Sequence, residues 1–345
     1  MMRSISSTVA IVDPCCAAGY TPAALAAGGL GGTEATVLRV TAALAPHARI
    51  IHFQQGRDNE EMTVAGRMAP FANGFLPGAA TTFVVINSWK VACKLRKRHP
   101  TARILLWLHI HPGRHNRPMA TALVAADIEV ICVSQSHATQ LNAFLDNDAP
   151  PRIGHIYNPI ADDLAPDATL RDPDRLLFAS SPHKGLVQVF AQFRAARAEI
   201  PGLTLAVADP GYLAWDTGPV PDGVIFLGTL PHHALIAEMR RALCLFYPQT
   251  TFAETFGLVM AEANAVGLPV LVHHDLGANA EVAGDLAQLV DGTDTVEVIN
   301  RLRQWRTQRP EVCGNPAFRL ETVVQRWAEL LGLDSADALV SRKVA

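Results

Sequence analysis

Two glutamates, Glu254 and Glu262, stand eight positions apart in the stretch Glu254-Thr255-Phe256-Gly257-Leu258-Val259-Met260-Ala261-Glu262. Carboxylates accept hydrogen bonds from hydroxyl groups, and the residues around this pair read as a strand-to-helix turn. Residues 243–247 are an apolar run of strand length, 257–266 carry a helical pattern, Gly267 ends it, and 269–272 read as the next strand. Eight residues of helix rise about 12 Å, so the carboxylates are too far apart to share one metal ion. They suit the opposite ends of an elongated ligand. Amides of the first helical turn lie between them and attract phosphate. Two hydroxyl-bearing groups joined by a diphosphate fit that pattern, which describes a nucleotide-sugar.

Three further segments place polar chemistry where strands give way to helices. Gly28-Gly29-Leu30-Gly31-Gly32-Thr33-Glu34 closes a long loop that begins at Asp13. Its glycines let backbone amides approach a phosphate closely, but they do not form the Gly-x-Gly-x-x-Gly pattern of a dinucleotide site. Ser180-Ser181-Pro182-His183-Lys184-Gly185-Leu186 follows an apolar strand and opens a helix, so Lys184 adds a point charge suited to a diphosphate. His109-Ile110-His111-Pro112-Gly113-Arg114-His115 follows the strand at 104–108, where a neutral imidazole can hydrogen-bond a sugar hydroxyl. Carboxylates are absent near these histidines, and no metal is assigned to them. The pairs Asp146/Asp148 and Asp172/Asp174 sit in proline-bounded loops and read as caps and turns.

The elements that must hold these groups alternate along the chain. At 345 residues, 49% apolar and 18% charged, the chain exceeds one ordinary core and suggests two α/β domains. Apolar strands are expected near 9–12, 50–53, 83–86, 104–108, 130–133 and 153–157, and again at 176–178, 203–207, 224–227, 243–247 and 270–272. Helical patterns lie between them, which argues for parallel sheets with crossover helices. The polar, proline-punctuated segment 158–166 reads as a linker, so the expected architecture is two doubly wound, Rossmann-like domains facing a cleft. The expected division is 1–165, 166–315 and 316–345.

Six cysteines without a Cys-x-x-Cys pair point to a reducing cytoplasm. No apolar run reaches the length of a membrane span, and Asp13-Pro14 interrupts the first apolar run before it could act as a signal core. The net charge of −3 is unevenly divided: residues 1–158 hold 14 Lys and Arg against 9 Asp and Glu, and the rest hold 15 against 23. Residues 62–126 contain no acid and nine bases, including Lys90, Lys94, Arg96, Lys97, Arg98 and Arg103. A solvated helix face is one reading of this cluster. The functional reading is attraction to an anionic acceptor or contact with the inner face of an anionic membrane. Nucleic acid is disfavoured because interleaved aromatics are lacking.

Taken in order, Gly31-Gly32-Thr33-Glu34, His109, Asn158-Pro159-Ile160, Ser180 to Leu186 and Glu254 to Glu262 resemble the retaining GT-B glycosyltransferases of the family-4 type over nearly the whole chain. The most specific portions are Phe252-Ala253-Glu254-Thr255-Phe256-Gly257, Glu262, and Ala263-Asn264-Ala265-Val266-Gly267-Leu268-Pro269-Val270. The resemblance implies sugar transfer from a UDP- or GDP-sugar to a hydroxyl of a glycan, lipid or small molecule, with retained configuration and no cofactor or metal. It implies that 1–165 is an acceptor-side domain, 166–315 a nucleotide-sugar-binding domain and 316–345 a helix crossing back to the first domain, with catalytic roles for His109, Lys184 and Glu254. It implies donor contacts from Gly31, Gly32, Ser181, Leu230, Thr255, Phe256, Gly257 and Leu258, with Glu262 on the ribose hydroxyls. Family members usually carry an arginine shortly before the lysine, whereas this chain has Ser180 and Ser181. Either another residue supplies a second cation, with Arg114 and Arg57 as candidates, or turnover is slow. A GT-B nucleotide-sugar epimerase and a noncatalytic nucleotide-sugar-binding subunit are the rival expectations.

Overall fold

The structure is a computed structural model that describes residues 7–72, 77–211 and 215–333. The chain divides into two compact units, the first drawn from residues 1–25, 32–159 and 320–345 and the second from 26–31 and 160–319. The divisions fall at 159/160 and 319/320, a few residues from the expected 165/166 and 315/316. The physical reason is local pairing: Ile160 bridges Arg319, and the Ile160 amide donates to the Phe318 carbonyl at 2.8 Å. Arg319 also donates to the carbonyls of Ala161 and Leu164 at 3.0 and 2.8 Å. The segment read as a linker is thus tied down from its first residues.

The first unit runs β1 (Thr8–Asp13), α1 (Pro22–Ala27, its end grouping with the second unit), α2 (Gly32–Leu44), β2 (Arg49–Gln54), β3 (Glu61–Thr63), β4 (Gly66–Pro70), β5 (Thr82–Ile86), α3 (Trp89–Arg98), β6 (Arg103–Trp107), α4 (Met119–Ala125), β7 (Glu129–Cys132), α5 (Gln135–Leu145) and β8 (Ile153–His155). Its sheet has the order β3-β4-β2-β1-β5-β6-β7-β8, parallel except for the β3–β4 hairpin. Strands such as β5, buried at every residue, read as continuous apolar runs because helices cover both faces. The hairpin escaped the sequence reading because β3 is three residues long, with Met62 its one apolar side chain and that one exposed, and β4 carries Gly66, Arg67 and Pro70.

The second unit runs β9 (Arg175–Ala179), α6 (Leu186–Glu199), β10 (Thr204–Ala208), β11 (Val224–Gly228), α7 (His232–Arg241), β12 (Cys244–Tyr247), α8 (Leu258–Ala265), β13 (Val270–His273), α9 (Asn279–Ala283), β14 (Leu289–Val290) and α10 (Thr295–Thr307). Its parallel sheet has the order β11-β10-β9-β12-β13-β14. The winding reverses between β9 and β12, and open α/β sheets receive ligands beyond the carboxyl ends of the strands at such a reversal. In the first unit the reversal lies between β1 and β5. A last helix, α11 (Leu320–Leu331), belongs to the first unit, where buried Trp327 lies 4.4 Å from the Trp107 ring. No helix among the described residues is long and apolar enough to cross a membrane.

Three histidines of the first unit are held neutral by burial. His52 is fully buried on β2, donates from Nε2 to the Ala65 carbonyl at 3.1 Å, and has its pKa lowered to about 4. His137 donates from Nε2 to the Ile110 carbonyl at 3.2 Å and accepts from the Val133 amide on Nδ1 at 3.4 Å, which is the pattern of a neutral ring. Burial and then His111 lower its pKa to about 3. Burial and then His137 do the same for His109, also to about 3. In the unfolded chain these rings titrate near the ordinary value of about 6.5. Below that pH the unfolded state holds protons the fold refuses, so their stabilising effect is complete above about pH 6.5 and is lost as pH falls toward the folded values. Each ring is expected to lower the unfolding free energy by up to about 1 kcal/mol per pH unit in that window. Urea unfolding between pH 7 and pH 5 should show a shallower decline in His52→Gln than in the wild type, and equal slopes would refute this assignment.

Candidate functional site

The reversal between β9 and β12 brings two loops together. The loop after β9 carries Lys184, and the loop after β12 carries Glu254. Lys184 Nζ donates to Glu254 Oε1 at 2.9 Å and to Oε2 at 3.2 Å. Tyr247, the last residue of β12, donates its hydroxyl to the same Oε1 at 3.3 Å. The ammonium also lies 4.7 Å from the centre of the Phe252 ring, a cation–π contact. Both charged side chains are largely withdrawn from water, with 22% and 11% of their surfaces exposed. Such a pair strengthens in reduced dielectric and fixes an ammonium and a carboxylate side by side at the strand ends.

The loop between Tyr247 and Glu254 is built from side-chain amides. Gln249 is wholly buried; its Oε1 accepts from the amides of Thr251 and Phe252 at 2.9 and 2.8 Å, and its Nε2 donates to the Phe252 carbonyl at 2.8 Å. Gln188 of α6 accepts from the Thr250 amide at 2.8 Å. Gly185 faces this loop with φ +90°, and a Cβ there would stand 2.6 Å from Gln249 Cβ. Behind Glu254, Gly277 approaches so closely that a Cβ would fall 2.3 Å from the Glu254 carbonyl oxygen, while the Ala278 amide donates to that oxygen at 2.9 Å.

Gly257 turns the chain into α8 with φ +88° and ψ +66°, a left-handed conformation that favours glycine. The amides of Leu258 and Val259 then head the helix, where helical geometry offers them no carbonyl four residues back. Glu262 follows within α8, its side chain 7% exposed, and its Oε1 accepts from His232 Nε2 at 2.9 Å. His232 is the first residue of α7, directly after the loop 229–231. The same unit therefore holds an ammonium–carboxylate pair, a helix start and a second, more deeply buried carboxylate.

The other expected residues have varied surroundings. Ser181 is buried, and its Oγ shares a 2.9 Å hydrogen bond with His183 Nδ1. The His183 ring stands 5.5 Å from Phe252 in an edge arrangement. The Phe256 side chain belongs to the core against Phe318, ring centres 5.0 Å apart, so any ligand contact from Phe256 comes from its backbone. Thr255 and Leu258 are half-buried at the turn. The Leu230 carbonyl would lie 2.7 Å from a Cβ on Gly28, whose φ is +92°. The chain passes between the units from Gly31 to Gly32, the latter the first residue of α2. His109 belongs to the first unit, where its amide donates to Asn87 Oδ1 at 2.7 Å and its ring lies 4.8 Å from Trp107.

Arg57 is already engaged, bonding Gln54 Oε1 at 2.8 Å, the Tyr20 carbonyl at 3.2 Å and the Asn59 carbonyl at 3.3 Å. That places it in the architecture of the first unit rather than at a free cationic position. In the basic cluster, Arg96 binds the carbonyls of Ala126, Ala102, Pro100 and Asp127, and Arg103 pairs with Glu129 at 3.2 Å. Lys90, Lys94, Lys97 and Arg98 remain exposed on α3. His273, His274 and Asp291 bring donor atoms within 4.8 Å of one another. Each is engaged locally: the Gly292 amide donates to His273 Nδ1 at 3.0 Å, His274 pairs with Asp275 at 2.8 Å, and Asp291 accepts from the Thr293 hydroxyl at 2.7 Å. Sequence reasoning gave no role to Tyr247, Gln249, Gly277 or His232, and took Phe252 only as part of the motif around Glu254.

Residues 178–313 match the family model described as glycosyl transferases group 1. No curated protein matches the chain. Among solved structures, a glycosyltransferase from Rickettsia africae aligns with a TM-score of 0.64 at 11% identity, covering 94% of this chain and 97% of that one. A UDP-forming α,α-trehalose-phosphate synthase from Burkholderia vietnamiensis aligns with a TM-score of 0.63 at 12% identity, covering 94% and 98%. A glycosyltransferase of avilamycin A biosynthesis aligns with a TM-score of 0.54 at 15% identity, covering 94% and 97%. The fold is GT-B.

Gly277→Ala places a methyl group against the Glu254 backbone in a left-handed residue with φ +58°, and is expected to lower stability by about 1–3 kcal/mol. Thermal unfolding measures that loss. An unchanged unfolding temperature would show that the loop yields freely and does not support Glu254.

Proposed function

We propose that the second unit binds a nucleoside-diphosphate sugar and that the protein transfers the sugar to a hydroxyl acceptor with retention of configuration and without a metal. The observation that carries this reading is the Lys184–Glu254 pair beyond the β9–β12 reversal, beside the start of α8. The match of residues 178–313 to glycosyl transferases group 1 supports it. A pneumococcal O-GlcNAc transferase, aligned at 15% identity with a TM-score of 0.52 over 72% of this chain and 56% of its own, has been crystallised with UDP and GlcNAc.

In this proposal the amides of Leu258 and Val259 and the Lys184 ammonium face the diphosphate, and Lys184 stabilises the negative charge that grows on it as the glycosidic bond breaks. Glu254, held by Tyr247 and Lys184, accepts hydroxyls of the donor sugar. Glu262 accepts the ribose hydroxyls. His109 of the first unit is kept neutral by burial, which leaves its ring able to hydrogen-bond a hydroxyl and unsuited to serve as a cation. The acceptor is a glycan, lipid or small molecule, and the exposed bases of α3 favour an anionic one or an anionic surface.

Hydrogen bonds to a charged partner contribute about 1.5–3 kcal/mol, so Glu262→Ala should weaken nucleoside-diphosphate binding roughly 10- to 100-fold. Lys184→Ala and Glu254→Ala should depress turnover more than nucleotide affinity. Isothermal titration with UDP, GDP and ADP reads the first effect, and hydrolysis or transfer from the matching nucleotide-sugar, followed by NMR of the sugar, reads the second. Unaltered affinity in Glu262→Ala defeats the ribose assignment, and conversion of the donor sugar to an epimer without acceptor defeats the transferase reading.

A further inference from the structure

Glu262 is a buried carboxylate with a named neighbour that the donor-site reading does not employ. His232 is the opening residue of α7, and its Nε2 lies 2.9 Å from Glu262 Oε1. A carboxylate only accepts, so this nitrogen carries the proton and donates. The two side chains differ in access to water: Glu262 is 7% exposed and His232 is 33% exposed. The histidine therefore stands on the solvent side of a carboxylate fixed within a helix. It follows Pro231, whose φ is −62°, and α7 packs against β9 and α8 with Ile236 and Met239 buried.

We propose that His232 is the positioning residue for ribose recognition. Its Nε2–H fixes one oxygen of the Glu262 carboxylate, and so sets the plane in which that carboxylate meets the 2′- and 3′-hydroxyls of a ribonucleotide. This inference rests on the assignment of Glu262 to the ribose. A glutamate has three side-chain torsions, and burial alone leaves the last one, which turns the carboxylate plane, broad. A hydrogen bond from a ring anchored on a neighbouring helix restricts that torsion before ligand arrives, so less freedom is lost on binding. The consequence is selectivity for nucleotides that carry both hydroxyls, supplied by a residue that need not itself touch the ligand.

The test compares wild type, His232→Ala and His232→Gln by isothermal titration with UDP, GDP and ADP and with their 2′,3′-dideoxy counterparts. Glutamine retains an N–H donor at the reach of Nε2. The expected result is roughly tenfold weaker ribonucleotide binding in His232→Ala, recovery to within about threefold in His232→Gln, and little change in either variant for the dideoxy nucleotides. Equal loss for ribo and dideoxy forms would assign His232 to packing and overturn the inference, as would an alanine variant that binds ribonucleotides like the wild type. Those outcomes leave the donor-site reading standing. Absence of binding of all three ribonucleotides to the wild type overturns the donor-site reading and this inference with it.

Discussion

The contact on which the second unit's site depends is the ion pair between Lys184 and Glu254. It joins loops that are 70 residues apart in sequence and that follow the two central strands of one sheet. Only a strand order that reverses between β9 and β12 makes those loops neighbours. A pair with this little exposure is a weak source of stability, because removing two charges from water offsets most of their attraction. What the pair supplies is a fixed charge arrangement: an ammonium held over the Phe252 ring and a carboxylate held by Tyr247, both in place before any anion enters. Electrostatic stabilisation of a developing charge depends on that kind of prior order.

A polar network surrounds the pair. Gln249 bonds three backbone groups of its own loop, Gln188 holds a fourth, and the glycines at 185, 257 and 277 lie where a side chain would strike the loop or strain the backbone. The corresponding reversal in the first unit is organised differently, around a buried acid. Asp13 accepts from the amides of Cys15 and Cys16 at 3.0 and 3.1 Å and from the Tyr20 hydroxyl at 2.9 Å. Burial raises its pKa in spite of those bonds. The loop after β1 thus begins as an ordered turn, and it contains the short helix α1 where the sequence suggested only loop.

The glutamate pair and the glycine between them were legible because their meaning is local: an apolar strand, a left-handed residue and a helix follow each other within about twenty positions. Lys184 was legible for the same reason, standing between an apolar strand and a helix start. The partners of these residues were not. His232 and Gly277 reach the glutamates only through the stacking of α7 on α8 and the adjacency of β13 to β12, and Gln188 only through the packing of α6. A one-dimensional pattern does not encode those neighbours. Arg57, one candidate for a second cation, shows the same limit from the other side, since its hydrogen bonds to Gln54, Tyr20 and Asn59 depend on the fold of the first unit. The basic cluster divides in the same way, with Arg96 spent on carbonyls and the lysines of α3 left to solvent.

The most direct test of the central claim is a crystal structure of the protein grown with a nucleoside diphosphate chosen from UDP, GDP and ADP by titration. The account predicts phosphate oxygens within hydrogen-bonding distance of Lys184 Nζ and the amides of Leu258 or Val259, and ribose hydroxyls on Glu262. Density for the nucleotide in the first unit, or anywhere that leaves Lys184 and Glu262 untouched, would contradict it.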